Sequence, residues 1–448
     1  MDLLRTVFKG DKVVWMIFLM FCLVSVVEVF SAGASLTYKT GDYWAPITWH
    51  IVLVAIGVLI VYITHNVACG WFKIIAYIGI PLSIFLLLFV LLKGVSVGDA
   101  SRWISIFGVT FQPSELAKLS VVVTVASILA TGQNEAGASP NAFTYCMIVT
   151  GVVCGLIVTE NLSTAALLFG VVFLMMIIGR VEAKKLLLTL LTLGVLGGLG
   201  VLYKSIEGKI EQQKEETAAA ASTDDNKIFH RDETWASRIE HFLTPETSVP
   251  VSQYKVTDKN AQVAHARIAV ATSHLLGKGP GNSVQRDFLS LAFSDFISAI
   301  IIEEFGLLPA AFVLLLYLIL LLRVGRIARK CDRTFPAFLV IGLALMLVTQ
   351  ALFNMAVAVG LAPVTGQTLP LISKGGTSIW INCIYIGIIL SVSRYTAKLD
   401  EERAALEAQR LHDARIPLEI TTGGEEFSDA QTADEPTSEL LNNDESFN

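Results

Sequence analysis

Asp295 closes a polar stretch and opens the apolar run FISAIII, so its carboxylate is expected at a water–membrane boundary. A general base needs that kind of access to a polar substrate. The same place suits an N-cap that satisfies free helix amides, and from position alone both readings stand. If a helix starts here, Glu303 falls about 12 Å further along it, too deep to share the proton transfer. Glu303 and Glu304 would then point in different directions.

Glu115 and Lys118 are three residues apart, on one face of a helix, and could pair with each other. Charges at membrane depth are costly, so the pair either fixes helix packing or meets a substrate. Arg102 beside Trp103 suits an interface, where the ring anchors at headgroup depth and the guanidinium can grip phosphate through two bonds. A plain membrane anchor accounts for the same two residues. Lys374 sits in LAPVTGQTLPLISKGGTS, a Gly-containing stretch able to pack closely within the membrane domain. Glu28, inside an apolar run, is expected to hydrogen-bond a neighbouring helix.

The elements that must position these groups are membrane helices. Of 448 residues, 54% are hydrophobic and only 16% charged, which points to lipid as the solvent. About ten runs are long enough to span. They are Val13 to Gly33, Pro46 to His65, Ile74 to Leu92, Leu116 to Ala130, Ala142 to Val158, Ala165 to Ile178, Leu186 to Tyr203, Phe296 to Leu322, Ala337 to Val359 and Ser378 to Val392. Lys and Arg cluster before the first run, after the sixth, after the eighth and after the tenth. An even count puts all of them, and both termini, in the cytoplasm.

The expected organisation is a cytoplasmic segment 1–12, spans one to seven within 13–203, an outer loop 204–294, spans eight to ten within 295–398, and a charged cytoplasmic tail 399–448. Lys204 to Lys227 is polar and reads as loosely ordered, whereas the stretch from Trp235 onward is expected to fold against the membrane domain. The tail after Arg415 has no Lys or Arg and cannot bury a core. Six cysteines lack CxxC spacing and read as small apolar residues. The net charge of −6 argues against a nucleic-acid binder. No Walker loop, HExxH, GxSxG or dinucleotide fingerprint occurs in a credible context.

Three segments together resemble the shape, elongation, division and sporulation (SEDS) family. They are ASRWISIFGVTFQPSELAKL at Ala100–Leu119, GKGPGNSVQ with SDFISAIIIEEFG within Gly277–Gly306, and GLAPVTGQTLPLISKGGTS at Gly360–Ser378. The resemblance runs from Val13 to about Lys398. It implies an all-α polytopic membrane protein that polymerises lipid II beside a class B penicillin-binding protein, at the outer face of the bacterial cytoplasmic membrane. GLAPVTG and the long tail lean toward the division (FtsW) branch over the elongation (RodA) branch, and so toward the septum and other divisome proteins.

By this resemblance Asp295 occupies the place of the family's catalytic aspartate. Glu115 and Lys118 match its paired cavity charges, and Arg102, Gln112 and Ser114 match its first outer motif. With Trp103, Gln285, Arg286 and Lys374 they form the expected substrate-binding set. The expected step is an inverting displacement by an acceptor sugar hydroxyl, with Asp295 taking its proton and polyprenyl diphosphate leaving. Arg102, Lys118 and Arg286 are candidates to stabilise that diphosphate, no organic cofactor is implied, and a divalent cation is compatible with the scheme. Three positions depart from the family pattern: Lys374 where an aromatic residue usually precedes GG, Ser290 in place of proline, and Ser298 in place of an aromatic residue. A lipid II flippase and a non-catalytic scaffold remain as rival readings.

Overall fold

The computed structural model describes residues 9–32, 45–93, 95–97, 100–106, 109–135, 137–195, 198–199, 260–289 and 293–420; side chains 45–46, 93, 95–97, 100–103, 105–106, 109 and 413–420 are not described. The expectations for Lys204–Lys227, for Ser290 and for most of the acidic tail fall outside these residues. The described chain is overwhelmingly helical, because in lipid a helix satisfies its own backbone polar groups. Seven helices among the described residues are long and apolar enough to cross a membrane, and two more apolar ones, Ala142–Val158 and Leu162–Ile178, are shorter. The protein is a multi-pass membrane protein.

In chain order the helices are α1 (Lys12–Ala32), α2 (Ala45–Asn66), α3 (Lys73–Lys93), α4 (Pro113–Ala130), α5 (Ala142–Val158), α6 (Leu162–Ile178), α7 (183–195), α8 (Ala261–Ala271), α9 (Ile297–Phe305), α10 (Leu307–Lys330), α11 (Thr334–Ala358) and α12 (Ser378–Ile420). Two compact units divide the chain at Ala397, and the described part of the second is the polar end of α12. In the first unit α4, α11 and the apolar part of α12 are mostly buried, while α2 and α3 leave much of their surface open. Exposed Leu59, Phe85 and Leu92 are what a lipid-facing surface requires. Gly342 lets α11 close on its neighbours: a Cβ there would stand 2.6 Å from the Met175 Cε and 2.8 Å from a Val122 methyl. All six cysteines are free thiols.

Two departures from expectation matter. The loop between α3 and α4 carries a small antiparallel sheet in the order β1-β2-β3, formed by Val95–Val97, Ala100–Ile106 and Val109–Phe111. Its register pairs Ile104 with Phe111 and Ile106 with Val109. Only Ser105 is polar within Trp103–Phe107, so no two-residue alternation marks a strand there.

The expected eighth span, Phe296 to Leu322, is two helices. α9 stops at Phe305, Gly306 takes φ +91° and ψ 179°, and α10 starts at Leu307. Such a break frees carbonyls at one helix end and amides at the next. Residues 274–279 satisfy both sets. The Glu303 and Glu304 carbonyls accept from the Lys278 and Gly279 N–H groups at 3.0 and 2.7 Å, while the Leu307 and Leu308 N–H groups donate to His274 and Leu275 carbonyls at 3.3 and 3.4 Å. The backbones approach so closely that a Cβ on Gly277 would collide with the Glu304 carbonyl, and one on Gly306 with the Leu275 carbonyl.

Candidate functional site

Asp295 lies in the turn before α9, half-buried, and the N-cap position belongs to Phe296. Three consecutive carbonyls set the path of this turn. The Lys374 N–H donates to Phe293 O at 3.0 Å, Ser373 Oγ to Ser294 O at 2.7 Å, and Asn354 Nδ2 to Asp295 O at 2.8 Å. Ser294 Oγ donates to Asp295 Oδ1 at 2.9 Å. The base candidate is thus carried by a backbone bonded at every step.

The partner segment, 361–377, is irregular chain whose stretch Gln367–Ser373 is largely buried. Irregular backbone inside a membrane protein persists where side chains satisfy it. Here the carbonyls are met in turn: Gln367 O by Asn354 Nδ2 at 2.6 Å, Thr368 O by Gln350 Nε2 at 3.0 Å, Pro370 O by the Tyr317 hydroxyl, and Ile372 O by Ser25 Oγ at 2.7 Å. Gln367 Nε2 reaches Thr164 Oγ1 at 2.5 Å. Helices α1, α6, α10 and α11 all contribute to holding this one segment.

Glu115 and Lys118 do pair. Lys118 Nζ donates to Glu115 Oε1 and to Gln350 Oε1, both at 2.8 Å, with no exposed surface on the lysine. The second Glu115 oxygen, Oε2, is buried without a hydrogen-bond partner among the described residues. Through Gln350 this ion pair meets the same segment that Asn354 ties to Asp295. As placed, the ammonium is enclosed and neutralised rather than offered to a phosphate.

The loop before α9 is held by the two adjacent glutamates Glu303 and Glu304, which take different partners. Glu303 accepts from Lys278 Nζ and Ser283 Oγ, each at 2.5 Å, and from the Val284 and Gln285 N–H groups at 3.3 and 3.2 Å. Glu303 is fully buried, and these four bonds satisfy it. Glu304 accepts from Ser31 Oγ and from the Gly281 N–H at 3.0 Å. Arg286 Nη1 donates to Gly281 O at 2.8 Å and Ser31 O at 3.3 Å, 4.0 Å from Glu304 Oε1. Gln285 Oε1 accepts from His265 Nδ1 at 2.7 Å. Gln285 and Arg286 are therefore built into the loop's own scaffold, next to α9.

The remaining candidates are spread around these groups. Arg102 and Trp103 belong to β2, and their side chains lie outside the described residues. Gln112 stands at the N-cap of α4 without a capping bond from its side chain, and Ser114 is buried in the first turn. The sheet is tied to the 361–377 segment where Thr377 Oγ1 donates to Thr110 O at 3.2 Å. Lys374 Nζ sits 5.5 Å from the Phe293 ring centre, and burial pushes its ammonium below the ordinary lysine range. Glu28 departs from expectation: it is buried on α1, and neither oxygen has a hydrogen-bond partner among the described residues.

Gln350, Asn354, Gln367 and Ser373 do not appear among the sequence candidates, yet they join the others. A signal for the first two was present. Amides four residues apart on an otherwise apolar helix share one face and need partners. Among the described residues no three His, Cys, Asp or Glu side chains converge as a metal site.

The model of the FtsW/RodA/SpoVE family, described as cell cycle proteins, matches residues 11–398. A probable peptidoglycan glycosyltransferase FtsW of Halomonas elongata is 30% identical over 393 residues, covering 86% of this chain and 90% of the relative. Stage V sporulation protein E of Bacillus subtilis is 28% identical, covering 86% and 97%. Among solved structures, a chain of a peptidoglycan synthase complex that coordinates polymerization and crosslinking aligns with TM-score 0.64 at 22% identity, over 86% of this chain and 98% of its own. The rod shape determining protein RodA of Thermus thermophilus aligns with TM-score 0.57 at 22% identity, over 86% and 97%. With its polytopic helical fold and its family match from residue 11 to residue 398, the chain belongs to the FtsW/RodA/SpoVE family of cell cycle proteins.

Proposed function

We propose that this chain, a peptidoglycan glycosyltransferase like its relatives, polymerises lipid II for septal wall synthesis with Asp295 as general base. The observation that carries the residue assignment is the triple tether of Phe293, Ser294 and Asp295 carbonyls, which sets a half-buried carboxylate just ahead of α9. A base must be held in place and still reach solvent-borne substrate. In this reading the acceptor sugar hydroxyl oxygen attacks the donor's anomeric carbon, its proton passes to Asp295, and the bond to polyprenyl diphosphate breaks. One displacement inverts the anomeric centre. Developing charge on the leaving diphosphate calls for cations; Lys118 is enclosed, so the candidates are Arg286, Lys374 and Arg102, whose side chain lies outside the described residues.

The reading places the chain in the bacterial cytoplasmic membrane, both termini inside, beside a class B penicillin-binding protein at the septum. The likeness to a peptidoglycan synthase complex supports such a partner. The test is reconstitution with the cognate class B protein in detergent, with fluorescent lipid II as substrate. Wild type is expected to give glycan ladders and Asp295→Asn none, while both form the complex. Polymer from Asp295→Asn would overturn the assignment, and no polymer from an intact wild-type complex would favour transport or scaffolding.

A further inference from the structure

Asn354 is buried on α11, one turn beyond Gln350, and its side-chain amide has three partners. Nδ2 donates to Asp295 O at 2.8 Å and to Gln367 O at 2.6 Å, while Oδ1 accepts from the Ser298 hydroxyl. A flipped amide would set Oδ1 against two carbonyl oxygens. Chemistry therefore allows one orientation. The two bonded carbonyls belong to separate stretches, the turn before α9 and the 361–377 segment, and the amide joins both to a membrane span. The other two tethers of the turn, from Ser373 and Lys374, come from within that segment, so their register also depends on Asn354 and Gln350.

We propose that Asn354 is a positioning residue for Asp295, fixing the peptide from which the carboxylate hangs by bonding the Asp295 and Gln367 carbonyls to α11. It touches no reacting atom in this scheme. Its effect is on where the base stands relative to the acceptor hydroxyl, and misplacement of about 1 Å at a reacting group costs on the order of 100-fold in rate. Ser298 acts one step further out, by fixing where the amide sits through its bond to Oδ1. The proposal rests on Asp295 being the base.

The experiment measures kcat and KM for fluorescent lipid II in the reconstituted complex, with melting temperature in the same detergent, for wild type, Asp295→Asn, Asn354→Ala and Ser298→Ala. Asn354→Ala is expected to lower kcat by about 10- to 100-fold with KM changed by less than about twofold. Ser298→Ala, which keeps the amide but removes the bond to Oδ1 and so loosens its placement, is expected to lower kcat by about two- to fivefold at wild-type melting temperature. Wild-type kcat from Asn354→Ala, with Asp295→Asn inactive, overturns the positioning role alone. Losses of kcat and KM that track the melting temperature overturn it in favour of a purely structural role. If Asn354→Ala does not fold, wild-type kcat from Ser298→Ala overturns it. Polymer from Asp295→Asn removes the base assignment and the proposal with it.

Discussion

Lys118 and Gln350 are 232 residues apart in the chain and meet at 2.8 Å with the ammonium fully enclosed. Glu115 supplies the countercharge at 2.8 Å, and Gln350 passes the contact on to the Thr368 carbonyl at 3.0 Å. Breaking a buried pair by removing one partner leaves an uncompensated charge, at a cost of about 3–5 kcal/mol. Lys118→Met is expected to show that loss in thermal unfolding, whereas the double change Glu115→Gln with Lys118→Met recovers part of it. A double variant no more stable than the single one would show that the pair is not what stabilises this region.

Glu303 ties the 278–285 loop to α9 by accepting four hydrogen bonds, from Lys278 Nζ, Ser283 Oγ and the Val284 and Gln285 N–H groups. Glu303→Gln keeps the shape but removes the charge that strengthens those bonds. Hydrogen exchange of the 278–286 amides at neutral pH should therefore be faster in the variant than in wild type. Wild-type exchange in the variant would assign the hold on this loop to other groups.

The helix break at Gly306 should tolerate no side chain. Gly277 (φ +70°) and Gly306 (φ +91°) adopt glycine conformations, and at both a Cβ would meet opposing backbone. Gly281 (φ +81°) has the same kind of torsion but open space around it. Alanine at Gly281 should cost about 1 kcal/mol from the torsion alone, and alanine at Gly277 or Gly306 more than about 3 kcal/mol. Melting of the three variants in one detergent checks the order. Equal losses would show that the torsion, and not the close approach of backbones, governs the break.

Lys374 holds Phe293 mainly through its backbone, since the bond to the Phe293 carbonyl comes from the main-chain N–H at 3.0 Å. Its ammonium adds a contact to the ring at 5.5 Å. Lys374→Ala should therefore lower stability by only about 0.5–1 kcal/mol, as loss of a cation–π contact predicts. If the ammonium serves the leaving diphosphate, the same variant lowers kcat while stability barely moves. Unchanged kinetics would remove Lys374 from the substrate-binding candidates.

Much of the architecture was legible in the sequence because lipid imposes simple rules on it. A helix in hydrocarbon must be apolar over most of its length, so the runs around α1, α2, α3 and α11 announce themselves, and spacing alone puts Glu115 and Lys118 on one face. Asp295 could be singled out because a carboxylate beside a long apolar run is conspicuous. What spacing left open was its surroundings, since the bonds that fix the turn carrying it come from Asn354, Ser373 and Lys374, far along the chain. The break at Gly306 was concealed because apolar residues flank it on both sides, and hydropathy does not report a backbone torsion. Asn354 and Gln350 illustrate the larger limit. Their partners, Asp295, Gln367, Thr368 and Lys118, come from three other parts of the chain, and hydrogen bonds between distant segments leave no periodic trace. Composition and local spacing determined that this chain lies in a membrane and which charges deserved a partner. Tertiary structure decided which of them found one, because only packing brings the 361–377 segment between α4, α11 and the turn that carries Asp295.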